Sequence, residues 1–583
     1  MEMSFNPARR SLAPGYALFV LSVVPVAILF LSFYLQRING PYFLCTNADP
    51  DYVYLFNALN LATGVAPVHV DHPGTTLQLW GAAVLRGTHA LAGRGDLAQD
   101  VVQRPEFYLT AISDTLIFGY ATSLFYLGWV ARRVGHGLGA ALLLQLTNLV
   151  FLSTLPWLPR VNPELVILIL GQWLGVALLK LVYGPPAATT HPRAAVGLGL
   201  LSGVAIVTKL SFLPLLLLGV LFFETGKARA RFLAGVTAAC VLLTLPAAAR
   251  WMDLGSWIWR LLTRSGLHGV GTAGAPSLLD YVRWLYHFLT NYPQYTLLFA
   301  AAAAVAAWFW IGRQRQSPSP DLQLQGRALT ALLAFHLLLL LMVAKFRRDY
   351  YIFPSFGLMM LTVLLAADLF RRRQNKALPA AVATVTWVLV AVLFTWQVLF
   401  RLPVVLHELK ATKAQQAAVA EIAERLSAKY LVVRSIWSSS EAYAEFLGNV
   451  YTGNRYSPLL AQRYPDYVGW DSPLLANFNP GFLDDPGMVG KYLTFGRVLA
   501  GGNAASVEQL FTGRAGIIFQ SGAPKTFEAD PVALPPGFQL FPIFGSPDET
   551  LYWAGRDEAA PELLQLKMAL RANLPKNAPA GRP

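Results

Sequence analysis

The chain runs to 583 residues, 55% of them hydrophobic and 13% charged, with a mean hydropathy of +0.45. A charged fraction near half the roughly 25% of soluble globular domains excludes an ordinary soluble protein and points to a polytopic membrane protein. The formal charge of +14 does not indicate a nucleic-acid partner, because the basic residues come in twos and threes between apolar runs without any DNA-binding motif, a distribution that reports topology.

In chain order, Arg9 and Arg10 precede an apolar run from about 15 to 36 that has no small-residue cleavage signature and reads as an uncleaved signal anchor. At about 1.5 Å per residue it crosses a ~30 Å hydrocarbon core. The same criterion predicts further spans near 107–131, 135–155, 164–183, 194–208, 210–224, 232–249, 294–312, 327–345, 351–370 and 377–401, roughly eleven in all. The fifth and sixth are short and separated only by Lys209, so they read as a hairpin that need not cross fully, a form allowed where protein or water covers the freed backbone. With the N-terminus inside, the short cytoplasmic segments hold sixteen Lys and Arg and the short external ones six. That bias predicts a cytoplasmic N-terminus and, with an odd number of spans, an external C-terminus. Cys45 and Cys240 are the only cysteines, and Cys240 lies in an apolar run, which leaves neither a disulfide framework nor a zinc-type cluster.

Two long external loops are predicted, at about 37–106 and 249–293. The first gathers Asp49, Asp51, His69, Asp71 and His72. A helix from about Asp51 would place Leu55, Phe56, Leu59 and Ala62 on one arc and leave Asn57 and Asn60 outside it, the pattern of a helix lying along a surface. Its N-terminal end would favour ionised carboxylates at Asp49 and Asp51; Asp49 before Pro50 equally fits an N-cap followed by proline at N1. In the second loop, WIWRLL and YVRWLYHFL have the composition of helices in the headgroup region or of an aromatic belt. After residue 401 the charges come near balance, 16 basic against 17 acidic. Residues 1–401 are therefore taken as the transmembrane part and 402–583 as an extracytoplasmic α/β domain of about 180 residues. Its predicted parts are a helix near 405–428, strands at YLVVRSI, AGIIFQS, FQLFPIF and TLYWAG, and a disordered tail after Leu574.

Asp49 lies fifteen residues before Gly64 and is followed by VDHPGTTLQ. Together with LPRVNPELVILIL, GVAIVTKLSFLPLLLL and AKFRRDYYIFP, all at predicted outer-face positions, this arrangement resembles the GT-C superfamily of polyprenyl-phosphate-sugar-dependent glycosyltransferases. It is most similar to the protein O-mannosyltransferase and aminoarabinose transferase branch, over about residues 40–370. The chain departs from that branch at Pro50, where a second acid is usual, and at Gly74, where a second proline is usual. The resemblance implies a GT-C-like helical core and inverting transfer of a sugar from a polyprenyl-phosphate donor to an extracytoplasmic lipid, glycan or protein, at the outer face of the membrane; the lack of any eukaryotic retention or glycosylation-rich pattern makes a bacterial inner membrane the default. The resemblance puts Asp49 at the general base, with Asp51 assisting or replacing it.

A departing phosphate needs no general acid, so one carboxylate base suffices, but it does need positive charge. Lys209 is the first candidate, since an ammonium between two apolar runs is expensive unless paired or used, although snorkelling also accounts for it. Lys345, Arg347 and Arg348 form a second cationic group and Arg160 a third; arginine forks suit phosphate oxygens, and loop cations also serve as interfacial anchors. Glu164, after Asn162 and Pro163, reads as a helix-cap residue and, by family position, as one that orients donor or metal. Asp71 and His72 are supporting candidates. A divalent metal is possible, with Asp49, Asp51, His69 and His72 as candidate ligands, although HVDH is no established ligand spacing. The competing classes are a lipid-linked-saccharide transporter or flippase, which should show two related halves, and a non-enzymatic envelope-assembly protein.

Overall fold

A computed structural model describes residues 14–44, 51–70, 74–184, 192–264, 274, 277–313, 318–345, 348–373, 392, 394–434, 438–465, 467–471, 497–500, 511–522, 536–546 and 549–556. The chain is mostly helical, and six helices among these residues are long and apolar enough to cross a membrane. The first is α1 (Pro14–Asn39). The loop that follows carries α2 (Asp51–Ala62), α3 (Thr75–Ala92) and α4 (Leu97–Gln103). Helix α5 (Pro105–Arg133) is 29 residues long but is not among the six, with Ser113, Asp114 and Thr115 in its length.

The expected span at 135–155 is not one helix. It breaks into α6 (Leu138–Gln145), α7 (Thr147–Val150) and a 3-10 turn (Leu152–Trp157). Thr147 and Thr154 turn their hydroxyls back onto the carbonyls of Leu144 and Phe151, at 2.8 and 2.9 Å, and Pro156 denies the ladder an N–H, so the helical pattern is cut twice.

Next come α8 (Pro163–Tyr183), α9 (Pro192–Thr208), α10 (Leu215–Phe222) and α11 (Gly226–Thr244). Lys209 joins α9 to the 3-10 turn Leu210–Phe212 in an extended conformation, which makes the predicted hairpin of two short helices. The region 249–293 holds α12 (Trp251–Thr263) and α13 (Leu278–Asn291), each with one apolar face, including exposed Trp251, Trp259, Leu279 and Tyr286. Then follow α14 (Pro293–Arg313), α15 (Pro320–Ala344) and α16 (Phe353–Arg373). Most of the expected span at 377–401 lies outside the described residues, so the count of eleven rests on fewer helices than predicted.

Helices approach closely where glycines face each other. A Cβ on Gly199 would sit 2.1 Å from the Phe232 carbonyl oxygen and one on Gly203 2.6 Å from that of Val236, so α9 and α11 pack backbone against backbone. Gly171 of α8 and Gly357 of α16 meet in the same way.

From residue 402 the chain forms α17 (Leu402–Ser427), β1 (Val432–Arg434), α18 (Glu441–Val450), α19 (Ser457–Arg463), β2 (Val468–Asp471), β3 (Arg497–Ala500), β4 (Gly516–Gly522), β5 (Gln539–Gly545) and β6 (Glu549–Gly555). The six strands make one mixed sheet in the order β3-β2-β1-β4-β6-β5. β1, β2, β3 and β4 pair in parallel, while β6 runs antiparallel to β4 and β5. The four predicted strands are there, and β2 and β3 are additional. The tail after Leu574 lies outside the described residues.

Packing does not follow the compositional boundary. One face of the sheet is buried by Val419, Ile422, Ala423 and Leu426 of α17. Helices α18 and α19, by contrast, belong to the same core as the helices before residue 373, through Ala442, Phe446, Leu447, Val450 and Leu460. They cover α2. That corrects the expectation of a surface helix: Asn57 and Asn60, assigned to its polar side, are fully buried. Asn57 donates to the Tyr451 carbonyl at 3.1 Å and accepts the N–H groups of Val68 and His69, while the Tyr456 hydroxyl donates to Asn60 at 2.8 Å. A Cβ on Gly448 would lie 2.5 Å from the Phe56 ring, so only glycine lets the two helices meet.

Candidate functional site

Five short stretches converge near the start of α2. Asp51, its first residue, is buried, and its carboxylate accepts the Val161 N–H and pairs with Arg160 at 2.6 Å. Burial pushes the Asp51 carboxyl above its usual range, against the pull of Arg160 and of the Val161 N–H. Four residues after Arg160, Glu164 occupies the first turn of α8 behind Pro163 and pairs with Lys209. Both members of that second pair are buried. The Lys209 ammonium also lies over the rings of Tyr350 and Tyr351, at 4.9 and 4.6 Å, within the range of cation–π attraction.

The LPRVNPE segment is therefore the joint of the site, since residues 160–164 hold Asp51 at one end and Lys209 at the other. The local sequence requires this form. Asn162 is extended, Pro163 has no N–H to leave orphaned at N1, and Glu164 falls where the helix dipole favours a carboxylate. Two further contacts close the ring. Thr76 of α3 and Thr208 before Lys209 share a hydrogen bond of 2.7 Å, and the Trp157 ring meets that of Tyr350 with centroids 5.3 Å apart.

The remaining predicted residues divide. Arg348 is exposed and opens the 3-10 turn Asp349–Ile352, which carries Tyr350 and Tyr351 to Lys209. Lys345 goes elsewhere, because its ammonium donates to the carbonyls of Leu261 and Leu262 at the end of α12. His69 is buried between the rings of Tyr54 and Tyr451 rather than beside Asp51. Asp49, Asp71, His72 and Arg347 lie outside the described residues. Among the described residues no three His, Cys, Asp or Glu side chains come together as a metal site would require.

Four contributors were not foreseen. Lys413 of α17 is buried and donates to the Leu44 carbonyl at 2.6 Å, just ahead of the acidic stretch. Tyr350 and Tyr351 come just after the cations of AKFRRDYYIFP, and aromatic residues there signal no charge. Glu106, at the second position of α5, accepts the Tyr42 N–H on both oxygens at 3.0 Å and the Tyr52 hydroxyl at 2.7 Å. Pro105-Glu106 in sequence signals only a helix start. Gly74 has φ +62°, a conformation closed to proline. At the other end of α2, a pocket of about 480 Å³ is lined by Leu61, Gly64, Leu79, Ala82, Arg86 and Pro246, among others.

No family profile and no curated protein matches the chain. Among solved structures, the chain is similar to ArnT from Cupriavidus metallidurans. The crystal structure of that protein bound to undecaprenyl phosphate shares 14% identity, covering 93% of this chain and 98% of the other at a TM-score of 0.40. Its apo state shares 13%, covering 92% and 98% at a TM-score of 0.44.

Proposed function

We propose that this chain is an inverting glycosyltransferase of GT-C type, which moves a sugar from a polyprenyl-phosphate carrier to an acceptor on the outer side of the membrane. The observation that carries the proposal is the string of alternating charge, Asp51, Arg160, Glu164 and Lys209, hung on one five-residue segment, with Asp51, Glu164 and Lys209 buried and Arg160 largely so. Buried ions are costly, and two adjoining pairs at a loop-to-helix joint are more than packing requires.

In this reading Asp49 takes the proton from the acceptor as it attacks the anomeric carbon. The bond from that carbon to the carrier phosphate breaks with its electrons going to the phosphate oxygen, and no general acid is needed. Asp51, tied to Arg160 and Val161, fixes the start of α2, two residues after Asp49 in the sequence. Lys209, aimed by Glu164 and steadied by two tyrosine rings, stabilises the departing phosphate together with Arg348 and Arg347. The part after residue 402 lies on the acceptor side, with the N-terminus cytoplasmic.

The test is turnover by the purified protein of a polyprenyl-phosphate sugar, read as release of the lipid phosphate. Asp49→Asn should reduce it at least a hundredfold while thermal stability stays that of wild type. Full activity in that variant would remove Asp49 from the mechanism.

A further inference from the structure

We infer that Glu106 is a positioning residue for the proposed reaction, clamping the two tyrosines that flank the acidic stretch so that Asp51 is aimed at Arg160 and Val161. This rests on the proposed transfer reaction. Glu106 is half-buried at the start of α5, 64 residues beyond Tyr42 and 54 beyond Tyr52, and it holds both: the Tyr42 N–H on its two oxygens and the Tyr52 hydroxyl on one.

Tyr52 follows Asp51 directly. The Tyr42 ring lies under the guanidinium of Arg160, 5.9 Å from its carbon, and the Tyr42 hydroxyl meets Gln36 at 3.2 Å, which in turn donates to Asp114 at 3.0 Å. The clamp therefore touches both members of the Asp51–Arg160 pair, one through the backbone and the other through a ring face. Its chemistry is unusual for scaffolding. Among the described residues no lysine or arginine pairs with Glu106, so its charge is met only by neutral donors while Asp51 stands nearby. A carboxylate placed so is less favourable than an amide unless the strength of its hydrogen bonds is needed, and charge-assisted bonds are roughly twice as strong as neutral ones.

A residue that only held the fold together would lower stability and leave the kinetic constants of the surviving protein unchanged. A positioning residue does the opposite. Purified full-length Glu106→Ala and Glu106→Gln proteins are compared with wild type for thermal stability, for kcat and KM on a polyprenyl-phosphate sugar, and for amide hydrogen exchange across residues 40–62. In Glu106→Ala, exchange at Tyr42 and through the first turn of α2 should accelerate at least tenfold. The rest of α5 should exchange as in wild type, and kcat should fall at least tenfold with KM within a factor of two. Glu106→Gln, which keeps one acceptor, should fall between. Wild-type exchange at Tyr42 in Glu106→Ala, or a loss of activity that tracks lowered thermal stability, would overturn the inference. If the wild-type chain moves no sugar, the transfer reaction fails by itself while exchange at Tyr42 still decides the clamp.

Discussion

At the scale of single residues, the site is a set of charges kept out of water by being matched to each other. Arg160 is the partner whose loss should be most costly, because Asp51 would be left buried without the cation it pairs with. Breaking such a pair from one side costs roughly 3–5 kcal/mol, whereas replacing both members with apolar groups can be neutral. Arg160→Leu should therefore lower thermal stability far more than the double variant with Asp51→Leu, a difference that denaturation of the two proteins in detergent would show.

A second buried acid makes stability depend on pH. Burial raises the Glu445 carboxyl to about 8, against the pull of Arg463 and of the Tyr464 hydroxyl. The native state then holds a proton that the unfolded chain, with an ordinary carboxyl near 4.5, has given up. Its contribution is complete below about pH 4.5 and is lost as pH rises toward 8. Protection of α18 and α19 from proteolysis should fall over that window in wild type and remain flat in Glu445→Gln. A fall of equal size in both proteins would place the dependence on another group.

At the scale of elements, most helices could be read from apolar runs because lipid requires long, uniformly apolar segments. The failures were local. The segment 135–155 has an apolar composition, but Thr147, Thr154 and Pro156 act on the backbone, which a hydropathy average does not see. β2 and β3 are four residues each, too short for alternation to register. The polar face of α2 was misassigned because Asn57 and Asn60 look solvent-facing until Tyr451 and Tyr456, in the turn between α18 and α19, are present to bond them.

The candidate site was legible in part for a similar reason. Asp51, Arg160, Glu164 and Lys209 stand out as charges beside apolar runs, while Glu106 and the tyrosine pair gain meaning only from residues far along the chain. Glycine contacts belong to this scale as well. Gly199→Leu should prevent α9 from seating on α11, where even a methyl would meet the Phe232 carbonyl. The resulting displacement of Lys209 would appear as lost folded yield, and substitution at Gly197, which has nothing within 4 Å, should be tolerated.

At the scale of the whole molecule, the part after residue 402 has two attachments. Among the described residues, α17 reaches the first loop through Lys413, which donates to the Leu44 carbonyl, and helices α18 and α19 pack into the core of the first loop. Arg463 makes the second attachment firm, donating to the Val102 carbonyl at the end of α4 while pairing with Glu441 at 2.9 Å and Glu445 at 2.8 Å. A chain ended at residue 437 should keep its membrane helices yet expose α2. Limited proteolysis of that truncation should cut within residues 51–70, a region that stays intact in the full chain.

The hydrogen bond from Asn57 to the Tyr451 carbonyl spans 394 positions, and this fixes an order of events during synthesis. The loop that begins at residue 37 emerges early, but its first helix, α2, lacks its partners Tyr451 and Tyr456 until the ribosome has passed residue 456. Each nascent chain thus carries its first loop open through most of translation, and α2 is covered only when the last quarter of the polypeptide arrives to close over it.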